Sequence, residues 1–290
     1  MFFCKHFVNS CFLTDVLIMN RLDQILKKRK KFAIAFSGGV DSTFLAAAAK
    51  NICKDKVIVI TADSAFQSQK DIEKASEIAA SLNIPHFVIK VDVMSSLDIT
   101  QNSKQRCYFC KKKLFSAIKE KSLELGFDTL AHGANIDDLQ DYRPGLKAAQ
   151  EMNIFSPLVE AQMTKNQIRL ESKNMGLATW NIPSQSCLAT RIPYNEIITV
   201  EKLRQIEACE EFLNQLGFYG ISVRCHTNTA ENSNKSEIDN SYTARIECSS
   251  EDISLIAAEK LRDKITSFFT AQGFRFISLD LKGYCSGNMN

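Results

Sequence analysis

Between residues 32 and 133, short apolar runs alternate with longer amphipathic stretches, and few folds accept that alternation. FAIAF (32–36), VIVITAD (57–63), FVIKVD (87–92) and DTLAHG (128–133) read as buried strands. Segments between them, such as DSTFLAAAAKN and SQKDIEKASEIAASLN, carry helical periodicity. Strands this apolar need cover on both faces. Helices on right-handed crossovers provide it, which predicts an α/β fold with a doubly wound parallel sheet. A composition of 45% hydrophobic and 24% charged residues supplies the core.

After residue 133 the pattern changes. DYRPG, SPL, NIPS and RIPY are loop signals around a helical TKNQIRLESKNMG. From Thr199 onward a helix (200–217), two strands (221–227 and 242–248), a helix (251–273) and a last strand (275–281) read as a second, smaller α+β domain. The division expected is an extension over 1–18, an α/β domain over 19–198 and the small domain over 199–290. Met19 opens MNRLDQILKKRKK as a helix start, and the polar stretch 228–241 reads as a mobile loop. The apolar N-terminus contains Lys5, His6 and Asp15 and lacks a small-residue cleavage site, so it does not read as a signal peptide.

Lys plus Arg is 36 against 33 for Asp plus Glu, a net charge of +3. That balance argues against nucleic acid as a partner, and no apolar run is long enough for a membrane span. A homo-oligomer stays open. The ten cysteines are scattered along a chain that needs no staples, which points to a reducing cytoplasm where paired thiols bind metal or do chemistry.

Two constellations carry chemistry. SGGVDS (37–42) lies in the first strand-to-helix turn. Gly38 and Gly39 let the backbone curl close to an anion, and the helix adds its positive end. Ser37 and Ser42 add hydroxyl donors, and Asp41 suits a magnesium ion beside phosphates. Neither the Walker ending nor the dinucleotide fingerprint is present, so the bland alternative is a tight turn capped by Asp41 or Ser42. The second constellation is Cys107-Tyr108-Phe109-Cys110 at the start of a helical stretch, with Arg106, Lys111 and Lys112 favouring thiolate. Cys187, in the loop-like PSQSCLATRIPY, is the candidate third ligand. Three thiols on a cubane cluster leave one iron open, whereas structural zinc or a redox disulfide are the alternatives. Cys53, Cys209, Cys225 and Cys248 fall in regular elements and read as core.

SGGVDS resembles the pyrophosphate loop of the PP-loop ATP pyrophosphatases, an adenine nucleotide alpha hydrolase-like superfamily that includes GMP synthetase, NAD synthetase and tRNA-thiolating enzymes. The resemblance implies cleavage of ATP between its α and β phosphates. It assigns Ser37, Gly38, Gly39, Asp41 and Ser42 to phosphate and magnesium, and VITADS with Thr61 and Asp63 to the adenine side. Three longer strings, AHGANIDDLQDYRPGLKAAQE, IFSPLVEAQMTKNQIRLESKNMGLATW and IPSQSCLATRIPYNEIIT, are similar to the LarE family of ATP-dependent sulfur transferases. That family sulfurates a pyridinium biscarboxylate mononucleotide during nickel-pincer cofactor biosynthesis. Because Cys107, Cys110 and Cys187 are all present, the chain is similar to the members that carry a [4Fe-4S] cluster with a sulfide on its free iron.

The implied reaction adenylates a carboxylate, releases pyrophosphate and transfers sulfur to give a thiocarboxylate. Arg143, Arg191 and Arg224 are candidates for the anionic substrate, and Asp138, beside Asp137, for magnesium. Ser222 and Cys285 stand where the family usually has arginine. A cluster-dependent tRNA thiolase and a non-catalytic zinc- and nucleotide-binding protein are the alternative readings.

Overall fold

The computed structural model describes residues 5–29, 31–139, 144–183, 186–228 and 241–284, with backbone alone over 5–16. The helices are α1 (Lys5–Arg29), α2 (Val40–Cys53), α3 (Gln69–Ser81), α4 (Leu97–Thr100), α5 (Arg106–Glu124), α6 (Pro144–Glu151), α7 (Pro157–Glu160), α8 (Lys165–Asn174), α9 (Val200–Gln215), α10 (Ile253–Ala257) and α11 (Glu259–Ala271). The strands are β1 (Phe32–Ala35), β2 (Val57–Asp63), β3 (His86–Lys90), β4 (Leu130–His132), β5 (Ser222–Thr227), β6 (Tyr242–Glu247) and β7 (Phe274–Leu279). Among the described residues no helix is long and apolar enough to cross a membrane. The chain separates into two compact units, residues 1–92 with 107–185 and residues 93–106 with 186–290.

The first unit is built on a four-stranded sheet in the order β3-β2-β1-β4. Every pairing is parallel, with Ala35 opposite both Ile60 and His132. The expected α/β sheet is therefore present. Phe32, Ile34, Val57 and Val59 pack with Phe44, Leu45, Leu158 and Met163 in one core. The alanine run of α2 has no bulk to hold it away, so Ala46 and Ala49 are wholly buried there. Leu22 and Leu26, one helical turn apart, bury the inner stripe of α1. This helix starts at Lys5 and runs straight through Met19, where the sequence pattern alone had placed its beginning. From β1 the chain moves outward to β2 and β3, then returns to the far side as β4. The order reverses between β1 and β4, a switch point of the kind beside which open α/β sheets bind ligands.

The second unit has a three-stranded mixed sheet, with β5 antiparallel and β7 parallel to the central β6. Val223, Cys225, Ala244 and Ile246 form its buried apolar face. Alternation puts Ser222, Arg224, His226, Arg245 and Glu247 on the other face. The helix expected over 251–273 is two helices, because Ala258 is extended (φ −61°, ψ 139°). Ile256 and Ile265 would lie about half a turn out of phase on one continuous helix. The break lets both be buried. Most of the polar stretch 228–241 lies outside the described residues.

His132 ends β4 with its Nε2 2.7 Å from Ser156 Oγ and its ring against Phe115. Burial, with the Lys111 charge adding to it, pushes its pKa down to about 4. The unfolded chain takes up that proton near the ordinary value of 6.5. Between those values the unfolded state binds more protons, so stability falls as pH falls through this window. Urea titrations of wild type and His132→Gln at pH 7 and pH 5 test this. The variant should lose less stability between the two pH values.

Candidate functional site

At the carboxyl end of β1 the chain turns through SGGVDS into α2. Gly38 is left-handed at φ +70°, and a Cβ there would lie 3.0 Å from Ala75 Cα on α3. Only glycine suits that position. Gly39 is the N-cap residue of α2, and no side chain caps the helix. The two capping candidates have other roles. Ser42 Oγ donates to Gly39 O (3.2 Å), accepts from Ser37 N (3.3 Å) and lies 3.2 Å from Ser37 Oγ. Asp41 turns away toward a lysine. The first N–H groups of α2 are thus left without a side-chain oxygen, at the end of a helix dipole that favours an anion.

Asp41 Oδ2 is 2.5 Å from Lys165 Nζ. Its Oδ1 accepts from the buried Asn135 side chain at 3.4 Å. The Asn135 backbone N–H donates to Asp138 Oδ2 (3.0 Å), and Asn135 Oδ1 accepts from Asp137 N (3.0 Å). Asp137 Oδ2 in turn accepts from Lys165 N at 2.6 Å. Asp41 and Asp138 are therefore joined through Asn135 on the same side of the turn. Lys165 was not among the residues that sequence reasoning singled out. The signal was present, since a lysine at the first position of a helix opposes the helix dipole and needs another reason to be there. The Thr164–Gln167 capping box fixes the helix start that carries it.

On the neighbouring strand, Thr61 Oγ1 donates to Phe36 O (2.8 Å) and lies 2.8 Å from His86 Nε2, tying β2 to the end of β1. Asp63 is half-buried at the carboxyl end of β2. The SGGVDS turn and VITADS consequently lie at the same, carboxyl end of two neighbouring parallel strands.

The cysteines divide by environment. Cys107 and Cys110 lie in the first turn of α5, three positions apart on one face, and both are half-buried. Cys187 is half-buried with extended backbone, immediately before a 3-10 turn over Leu188–Arg191. Cys53, Cys209, Cys225 and Cys248 are buried, and burial pushes the Cys225 thiol up to about 12. None of the seven cysteines whose side chains are described forms a disulfide. Among the described residues, no three His, Cys, Asp or Glu side chains come together as a metal-holding group.

Arg191 and Arg224 are both buried and both engaged. Arg191 forms a two-pronged pair with Glu210, at 2.7 and 3.2 Å, and donates to Ser186 O (3.1 Å). Arg224 pairs with the fully buried Glu247 at 2.8 Å and donates to Thr190 O at 2.7 Å. Ser222 is buried opposite Glu247 in the strand register. Arg143 and Cys285 lie outside the described residues.

A family model described as a PP-loop domain matches residues 14–177. Together with the parallel sheet and the uncapped SGGVDS turn, this defines the chain as a PP-loop enzyme of the ATP pyrophosphatase type. It is 30% identical over 266 residues to the pyridinium-3,5-bisthiocarboxylic acid mononucleotide synthase of Lactiplantibacillus plantarum, spanning 91% of both chains. It is 36% identical over 272 residues to an uncharacterized protein of Synechocystis sp., spanning 94% of this chain and 96% of that one. Similarity to the tRNA-specific 2-thiouridylase MnmA of Leptospira biflexa is 26% over 222 residues, covering 63% of this chain and 58% of that protein. The chain belongs to the LarE family of ATP-dependent sulfur transferases.

Gly133, just beyond β4, provides a direct test of the turn. A Cβ on it would sit 2.9 Å from Ser42 N, inside the contact distance of the backbone of the SGGVDS turn. Gly133→Ala should weaken binding of a non-hydrolysable ATP analogue by about tenfold, the equivalent of one charge-assisted hydrogen bond. Calorimetric titration against wild type measures it, with circular dichroism confirming the fold.

Proposed function

We propose that this enzyme adenylates a carboxylate of a pyridinium biscarboxylate mononucleotide and replaces the activated oxygen with sulfur. A carboxylate is a poor electrophile. Its oxygen attacks the α phosphorus of ATP, pyrophosphate leaves, and the acyl carbon now carries AMP as a good leaving group. Sulfur forms its bond to that carbon while the bond to the AMP oxygen breaks, which yields a thiocarboxylate. The observation that carries this reading is the likeness to the Lactiplantibacillus synthase along nine-tenths of both chains. The uncapped turn beside Asp41 and Lys165 supports its ATP half.

In this reading Ser37, Gly38, Gly39 and Ser42 receive the departing pyrophosphate through N–H and hydroxyl donors. Asp41 and Asp138 hold the magnesium that accompanies ATP, and Lys165 neutralises phosphate charge once metal takes its place beside Asp41. Thr61 and Asp63 line the adenine side. The donors of Arg191 and Arg224 are committed to Glu210, Glu247 and the Cys187 turn, so we assign these two residues to supporting that turn. Arg143 is left as the candidate for the acceptor's anionic groups.

For the sulfur source we infer a [4Fe-4S] cluster on Cys107, Cys110 and Cys187. The donor set suits it, with two thiols one helical turn apart, a third on an extended residue, and all three half-buried rather than sealed in the core. Such a cluster, when bound with one iron open, supplies a sulfide as nucleophile. The partial, weaker match to a tRNA thiolase does not favour RNA as the acceptor.

Anaerobically isolated protein should release AMP and pyrophosphate with the mononucleotide acceptor, and mass spectrometry should show oxygen exchanged for sulfur. Asp41→Ala and Lys165→Ala should each lower AMP formation by about a hundredfold, the scale of a lost electrostatic stabiliser. Cys187→Ser should still bind the ATP analogue and lose both iron and thiocarboxylate formation. Zinc in place of iron, or turnover with tRNA alone, would overturn the proposal.

A further inference from the structure

The turn bearing Cys187 is held through its carbonyls by three buried arginines. Arg191 Nη1 donates to Ser186 O at 3.1 Å, Arg106 Nη1 to Ala189 O at 2.9 Å, and Arg224 Nη1 to Thr190 O at 2.7 Å. These carbonyls flank Cys187 on both sides. Arg191 and Arg224 come from the same part of the chain and are braced by Glu210 and Glu247. Arg106 comes from elsewhere: it is the residue that precedes Cys107.

Arg106 is 2% exposed. Its Nη1 also donates to Asn102 Oδ1, and its guanidinium lies 5.7 Å from the centre of the Tyr194 ring. Asn102 is wholly buried in a left-handed conformation (φ 56°). Its side-chain amide donates to Ile192 O (3.1 Å) and Pro193 O (2.7 Å). Backbone bonds continue the seam, with Asn195 N donating to Asn102 O (3.0 Å) and Ile198 N to Thr100 O (2.8 Å). Residues 100–106 and 189–198 are thus stitched together from end to end. Burying a guanidinium is expensive unless its donors are satisfied. Here a backbone carbonyl two residues from Cys187 is one of the groups that satisfies it.

We infer that Arg106, supported by Asn102, is a positioning residue for the sulfur site. It holds the Cys187 turn and the residue entering Cys107 as one piece, so the Cys187 thiol is presented in a defined conformation before any cluster is loaded. This rests on the reading of Cys107, Cys110 and Cys187 as cluster ligands. Arg106 touches neither ATP nor acceptor in this role. Its loss acts on cluster occupancy and on the mobility of the turn.

The test compares wild type with Arg106→Gln and Arg106→Lys, isolated anaerobically as full chains. Iron and acid-labile sulfide per chain, the visible absorbance of the cluster, and affinity for a non-hydrolysable ATP analogue are measured. In cluster-free protein, the alkylation rate of Cys187 by iodoacetamide is followed by peptide mass spectrometry. Arg106→Gln should hold less than about half the wild-type iron, alkylate about fivefold faster or more at Cys187, and keep wild-type ATP-analogue affinity, as loss of a buried charge-assisted bond implies. Arg106→Lys keeps the buried charge and a donor, so it secures a folded comparison and should fall between the other two. If both variants load iron and alkylate as wild type does, the inference is overturned while the cluster reading stands. If wild-type protein takes up no iron and sulfide on reconstitution, the cluster reading fails and this inference with it.

Discussion

The organisation of the first unit depends on a helix that begins without a side-chain cap. Gly39 supplies no oxygen, Ser42 is turned back into the loop and Asp41 reaches sideways to Lys165, so the amino end of α2 is left open for an anion. An exposed helix terminus of this kind is stabilised by phosphate at little structural cost. The surrounding sequence keeps that opening clear. Gly38 packs against Ala75 where any Cβ would collide, Gly133 lets β4 end beside Ser42, and the alanines of α2 set the helix close on the sheet. The serine pair shapes the loop in advance, with its hydroxyl oxygens 3.2 Å apart.

In the second unit the governing interaction is electrostatic and buried. Glu247 has no exposed surface and lies between Arg224 and Arg245, while Asp280 takes a second prong of Arg245. Glu210 does the same for Arg191. Removing one partner from a buried pair typically costs about 3–5 kcal/mol, because a charge is left without compensation. Here the guanidinium forks that grip carboxylates on one side grip the carbonyls around Cys187 on the other. Ser222, on the same face, adds no positive charge to it. The positive charge that remains there is neutralised internally by Glu247 and Asp280, which supports the role proposed for Arg224 in holding the Cys187 turn.

The two halves of the chemistry make different demands on the protein. Activation of a carboxylate by ATP needs rigid donors and a charge-balanced metal position, and a parallel sheet with a glycine-rich turn is suited to supply them. Delivery of sulfur needs thiolates that are accessible yet prevented from wandering. On the proposed reading, Cys107 and Cys110 meet the second demand by sitting on a helix, and Cys187 by having its neighbours' carbonyls tied down. The core cysteines, by contrast, are sealed, and burial raises their thiol pKa values away from reactivity.

Much of this was legible in the residues. Alternating apolar runs specified the parallel sheet, because strands without a polar face require cover on both sides. Paired glycines between the first strand and helix marked the tight, uncapped turn of the PP-loop domain, because few other contexts need that backbone. Both signals are local, carried by neighbouring residues. The pairing of Lys165 with Asp41, the grip of Arg106 on Ala189, the commitment of Arg191 and Arg224 to carboxylates and the helix break at Ala258 were decided only by the tertiary structure. Each depends on which surfaces the crossovers and strand registers bring together. A lysine, an arginine or an alanine has the same local propensity whether or not its partner arrives from a distant part of the chain.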